Sequence, residues 1–174
     1  MKKSILSFVL VATTSIFYAQ STLDKYDGMD DVNTILVNKK MFELMSKVHA
    51  DSNDAQMQNY LNLTKKIDDL KVFSTTNPNV GQEMKITAEN YIKTTNLNQL
   101  KQIKEGNKIA TVYTDSGATN AQVKELFMFV NSPENGESVL MDVKGNFNLN
   151  EIGLLIDKMQ IPGGAYLKQA TGQP

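Results

Sequence analysis

Three carboxylates in the C-terminal half have the residue type for chemistry. Asp142 stands mid-strand in LMDVKG among apolar neighbours, with Glu125 in VKELFMFV and Asp115 in ATVYTD. Two carboxyl groups ~5–9 Å apart in one cleft are what glycoside hydrolysis needs, one as acid and the other as nucleophile or base. Strand alternation puts Asp142 on the face of Leu140 and Lys144, with Val139, Met141 and Val143 on the other. In a half-buried antiparallel sheet, 140, 142 and 144 then face outward, and Asp142 sits beside lysines of the next strand. On that reading Asp142 is an ordinary surface acid.

His49 is the single histidine, with Ser46 and Ser52 nearby in the chain. Proximity in sequence does not build a triad, which needs a particular geometry, and no Gly-x-Ser-x-Gly elbow accompanies these residues. A histidine closing a helix is explained by the macrodipole alone. Asp24, Asp27, Asp30 and Asp31 crowd the stretch DKYDGMDD, but they lack the glycine at the sixth place and glutamate at the twelfth of a calcium loop. With no cysteine and one histidine, zinc sites of the multi-His or Cys kinds are excluded. No metal site and no cofactor is expected, and no catalytic residue is assigned. Asn62-Leu63-Thr64 matches a glycosylation sequon but lies within a helical pattern.

All 18 basic residues are lysine. Arginine supplies the fork that grips phosphates and reads bases, so a mildly acidic chain without it is not expected to bind nucleic acid. The absence of tryptophan also argues against a carbohydrate platform built on that ring.

The first residues carry an address. Lys2 and Lys3 precede the apolar run Ile5–Ala12, and even Ile5 to Ala19 gives 15 residues with Ser7, Thr13, Thr14 and Ser15 among them. A spanning helix needs ~20 predominantly apolar residues, so this is the length of a secretory signal. Cleavage is expected between Ala19 and Gln20. The mature chain of 155 residues, with 16 lysines against 19 acidic residues, is then large enough for one core and has no integral membrane span. Lacking cysteine, it carries no lipid anchor on that residue and is expected to be periplasmic or secreted.

The elements that must position these groups follow from periodicity. Residues 20–31 read as a flexible polar leader, 32–170 as a single domain and 171–174 as a tail. TILVN at 34–38 is a short strand. Met41, Leu44, Met45 and Val48 form a helical stripe; Met57, Tyr60, Leu61 and Thr64 form a second, with Asn53 or Asp54 as its cap. LKVFSTT suits a strand, and Val80, Met84, Ala88, Tyr91 and Ile92 a third helix. Strands near 98–105, 108–115, 121–131 and 138–145 make a meander, the first two joined by Gly106-Asn107. Asn148 caps a last helix with Glu151 reaching back, and Ile152, Leu155, Ile156 and Met159 supply its stripe until Pro162-Gly163-Gly164. Met41, Met45, Met57, Met84 and Met159 take helical core positions, where they either fill gaps or line a groove for a ligand or partner. The predicted fold is an α+β two-layer sandwich, a mostly antiparallel meander sheet with helices on one face.

Taken in order, VNKKMFELMSKV, LKVFSTT, VKELFMFV and VLMDVKGNFNLNEIGLLIDKM resemble the family known as domain of unknown function 4252, over roughly Asp31 to Ala170. The resemblance rests on the order of apolar patterns. It implies an exported bacterial envelope protein, and some members carry a lipobox cysteine that this chain lacks. It assigns no catalytic or binding residue, and implies an association with alternative sigma factors and their membrane regulators. The expectation is an exported, non-catalytic envelope domain that binds a protein partner or small ligand, in sensing or signalling. A carboxylate-based periplasmic hydrolase and a structural secreted oligomer are the alternatives; oligomeric state is left open.

Overall fold

The apolar runs VFST, LFMFV and SVLMDV are continuous where a half-exposed strand would alternate, and each becomes a strand covered on both sides. A computed structural model describes residues 22–48, 54–132 and 136–172. The expected secretory signal, its Ala19–Gln20 cut, His49 and Ser52 lie outside the described residues.

In chain order the elements are β1 (Asn33–Asn38), α1 (Lys39–Val48), α2 (Ala55–Thr64), β2 (Ile67–Thr75), α3 (Pro78–Thr95), β3 (Leu97–Glu105), β4 (Lys108–Asp115), β5 (Val123–Asn131), β6 (Ser138–Phe147), α4 (Ile152–Met159) and α5 (Gly164–Thr171). Short 3₁₀ turns at Asp24–Tyr26 and Leu149–Glu151 precede β1 and α4. The six strands form one sheet in the order β1-β2-β6-β5-β4-β3, every pairing antiparallel. The α+β class and the β3–β6 meander are as expected. Gly106, at φ 58°, takes the first place of the two-residue loop between Glu105 and Lys108, a conformation that favours glycine.

Helices cover one face as expected: α1, α2, α4 and α5 bury Val72, Val112, Leu126, Met128, Val130, Met141 and Val143. The other face is closed as well. There α3 presents Met84, Ala88 and Tyr91 to Phe73, Phe127, Phe129 and Leu140, and Leu23 and Tyr26 join them. Segment 20–31 is therefore not merely a polar lead-in: from Thr22 it is described, and its Leu23 and Tyr26 are fully buried. Their burial is what the two isolated apolar side chains of STLDKY gain by folding back. The Tyr26 hydroxyl donates to Thr87 at 2.8 Å, and Lys71 holds the Asp24 carboxylate.

Caps follow the local sequence. Asp54 accepts from the Gln56 N–H, Asn77 from the Asn79 N–H, and Asn148 from the Asn150 N–H. The reach-back of Glu151 is not made; its carboxylate pairs with Lys66 at 2.8 Å, because a 3₁₀ turn intervenes before α4. In α1 the buried anchor is Phe42, with Met45 half-buried, while Met41 and Leu44 are 45% and 54% exposed. α4 ends before Pro162-Gly163-Gly164, with Gln160 at φ 49° as its left-handed cap, and the run instead launches α5: Gly163 at φ 72° is the residue before its first turn. No helix among the described residues is long and apolar enough to cross a membrane.

Candidate functional site

Asp142, Glu125 and Lys144 share the sheet face under α3 with Leu140, Phe127 and Phe129. In the ladder, Asp142 lies opposite Phe127 on β5 and Lys71 on β2, while Lys144 lies opposite Glu125 and Asp69. Alternation sets Glu125 with Phe127 and Phe129 on this row, and the register becomes irregular only beyond it, between Val123 and Glu125. Asp115 fixes that bulge, its carboxylate accepting from the Lys124 and Glu125 N–H groups at 2.8 and 3.1 Å. Asp115 is thus a backbone clasp and stands apart from the other two acids.

Tyr91 closes the group from above. It follows Met84 and Ala88 on the buried stripe of α3, stacks on Phe127 with centroids 5.0 Å apart, and lowers its hydroxyl among the charges. That oxygen lies 2.7 Å from Glu125 Oε1, 2.8 Å from Lys144 Nζ and 3.2 Å from Asp142 Oδ2. A phenol has one proton and two lone pairs. Its proton goes to Glu125, the nearer acceptor, and Lys144 donates to one lone pair. The same O–H reaches Asp142 Oδ2 as the longer arm of a shared donor, and Lys144 Nζ stands 3.4 Å from that carboxylate oxygen.

Asp142 is 1% exposed, and its carboxyl is pushed up to about 7, by burial first, with Lys144 pulling down and Glu125 pushing further up. Its Oδ1 is buried without a hydrogen-bond partner, which costs less for a neutral acid than for an ion. Burial, then the charges of Asp142 and Glu125, hold Tyr91 well above the usual phenol range. On the flank, burial works against the charge of Lys71, but Asp24, Asp69 and Asp142 outweigh it and raise its pKa.

The family is decided by the match of a family model over residues 26–155, described as a domain of unknown function, DUF4252. This chain belongs to DUF4252. Comparison with curated proteins and with solved structures gave no match. The matched DUF4252 region contains Tyr91, Glu125, Asp142 and Lys144, whereas α5 lies beyond it.

For this DUF4252 chain the expectation of an outward-facing Asp142 is corrected. A lysine of a neighbouring strand does lie opposite it, Lys71 on β2, but α3 covers this face and Asp142 is buried. Glu125 and Asp142 do come together; Tyr91 and Lys144, which complete the group, were not foreseen as functional. The available signal was Tyr91 itself, a hydroxyl on an apolar stripe that must find a partner when buried. A depression of about 230 Å³ lined by Thr22, Lys25, Thr87, Asn90, Tyr91 and Thr94 touches the phenol but not Asp142, Glu125 or Lys144.

The remaining candidates have local structural roles. Ser46 donates to the Glu43 carbonyl. Asp24 pairs with Lys71 and Asp31 accepts from Asn77, so the acidic stretch does not converge. Among the described residues no three His, Cys, Asp or Glu side chains form a group that could hold a metal. Asn62 is exposed on α2, but Thr64 of the sequon is buried, its hydroxyl spent on the Leu61 carbonyl.

Proposed function

We propose that this chain is an exported, non-catalytic envelope domain that binds a protein partner, or a small ligand, in sensing or signalling. The observation that carries the non-catalytic reading is the closure of the Tyr91 group. Its two carboxylates share one phenol oxygen, and Asp142, the residue with the pKa for acid–base work, is sealed beneath α3. A substrate has no path to Oδ2 without displacing Tyr91. In contrast, a depression of about 880 Å³ opens between β3 and α5 and is lined by Ile103, Ile161, Tyr166, Lys104, Glu105 and Lys168 among others. Mixed apolar and charged lining on an open surface suits a partner's side chains better than an enclosed reaction. Export rests on the Lys2–Ala19 pattern, and the envelope on the family resemblance.

The test is fractionation of the cells that make the protein, followed by intact mass and crosslinking of the envelope fraction. Chain beginning at Gln20 and crosslinked to a second protein supports the proposal; full-length chain in the cytoplasm overturns it. The hydrolase reading draws on the Glu125–Tyr91–Asp142 contact. It requires that Asp142→Asn abolish turnover of a glycoside or ester while leaving the fold intact.

A further inference from the structure

We infer that β1 is a self-association edge, pairing antiparallel with β1 of a second copy so that one sheet runs through both. The sheet has two edges, β1 and β3, and they are built differently. Edge strands that must stay single are defended by charge, bulges or proline. β3 has such defences: an irregular register between Gln99 and Lys101, and lysines at 101 and 104. β1 has none. Its six residues, NTILVN, carry no charge and no proline, and the register with β2 is unbroken from Asn33–Ser74 to Asn38–Asp69.

The flanks of β1 say which strand fits it. Asp30 and Asp31 precede the segment and Lys39 and Lys40 follow it, in DDVNTILVNKK. An antiparallel copy centred on Ile35 brings the acidic end of each strand alongside the basic end of the other, at both ends at once. A twofold interface needs such self-complementarity, since each contact is made twice. Lys39 is held by Asp68 and Asp31 by Asn77, but Asp30 and Lys40 are exposed and make no ion pair among the described residues. α1 follows β1 directly, packs over β1 and β2, and leaves Met41 and Leu44 exposed one turn apart on that flank. The inference is independent of the proposed function, because a dimer serves a binding domain and a hydrolase alike.

Sedimentation of the chain purified from the cells that make it, across a dilution series at low and high salt, tests it. A reversible dimer that weakens with salt is expected. Lys40→Glu, at an exposed first-turn position where glutamate suits the helix, should weaken the dimer by roughly tenfold or more, and Asp30→Lys likewise. The double variant Asp30→Lys/Lys40→Glu restores the complement in reverse and should return dimerisation toward the starting value. A monomer at every concentration overturns the inference, as does a dimer indifferent to both salt and Lys40→Glu.

Discussion

Tyr91 on α3 and Glu125 on β5 meet through a 2.7 Å hydrogen bond that pins the helix to the sheet over a charged row. Lys144 and Asp142 reach the same oxygen, so the four side chains form one connected group.

Replacing Tyr91 by Phe keeps the ring on Phe127 and removes only the oxygen. Asp142, Glu125 and Lys144 then lose their shared partner, and stability should fall by about 1–3 kcal/mol at neutral pH. Urea unfolding measures it, and an unchanged midpoint would mean that the hydroxyl is replaced by other partners.

Asp142 gives the fold a pH dependence of unusual sign. Its folded pKa, about 7, exceeds the ordinary 3.8, so between those values the folded chain binds more protons than the unfolded one. Its contribution is fully present below the unfolded pKa and is lost as pH rises through the folded one. Thermal melts across that window should decline toward neutral pH. Asp142→Asn, which keeps a donor toward Tyr91, should flatten the profile and be the more stable protein above pH 7. Parallel profiles for the two would contradict the assignment.

Gly145 has a half-buried place at the irregular start of the β2–β6 ladder, where a Cβ would stand 2.2 Å from the Lys66 carbonyl oxygen. Gly145→Ala forces backbone against backbone and should cost about 1–3 kcal/mol, read from the denaturation midpoint.

Tyr26 anchors the segment ahead of β1. Tyr26→Ala empties a fully buried site and should destabilise by about 3–5 kcal/mol. Hydrogen exchange over residues 22–32 should rise with it; a wild-type exchange rate already at the free-chain limit would show the segment unattached.

On α1, Phe42→Ala should cost about 3–5 kcal/mol while Leu44→Gln stays within about 0.5 kcal/mol in the monomer. Equal effects would put Leu44 in the core instead.

That last contrast marks where sequence reading reaches its limit. MFELM offers two apolar phases, and periodicity alone does not choose Phe42 over Met41 and Leu44. Strand positions were legible because β-branched and aromatic runs are bounded by turn residues. The closed second face was written only in the lack of alternation along LFMFV and SVLMDV, and alternation was assumed when Asp142 was placed outward. Alternation along β5 sets Glu125 with Phe127, but the β5–β6 register that places both beside Lys144 and Asp142 is announced by no local pattern. α5 was hidden because Pro162-Gly163-Gly164 reads as a stop, although a glycine with positive φ also starts a new helix.

The sheet order carries a kinetic consequence. The chain leaves β2, crosses along α3 to the far edge, and returns strand by strand until β6 lies against β2. Hairpin contacts from β3 to β6 close short loops, whereas the β2–β6 seam joins segments roughly seventy residues apart, such as Phe73 and Leu140. That seam is expected to form last, after the hairpins have carried the chain over its transition state. Substitutions in the β3–β4 hairpin should then slow refolding, and those on the β2–β6 seam should chiefly hasten unfolding, a division that stopped-flow chevrons would test.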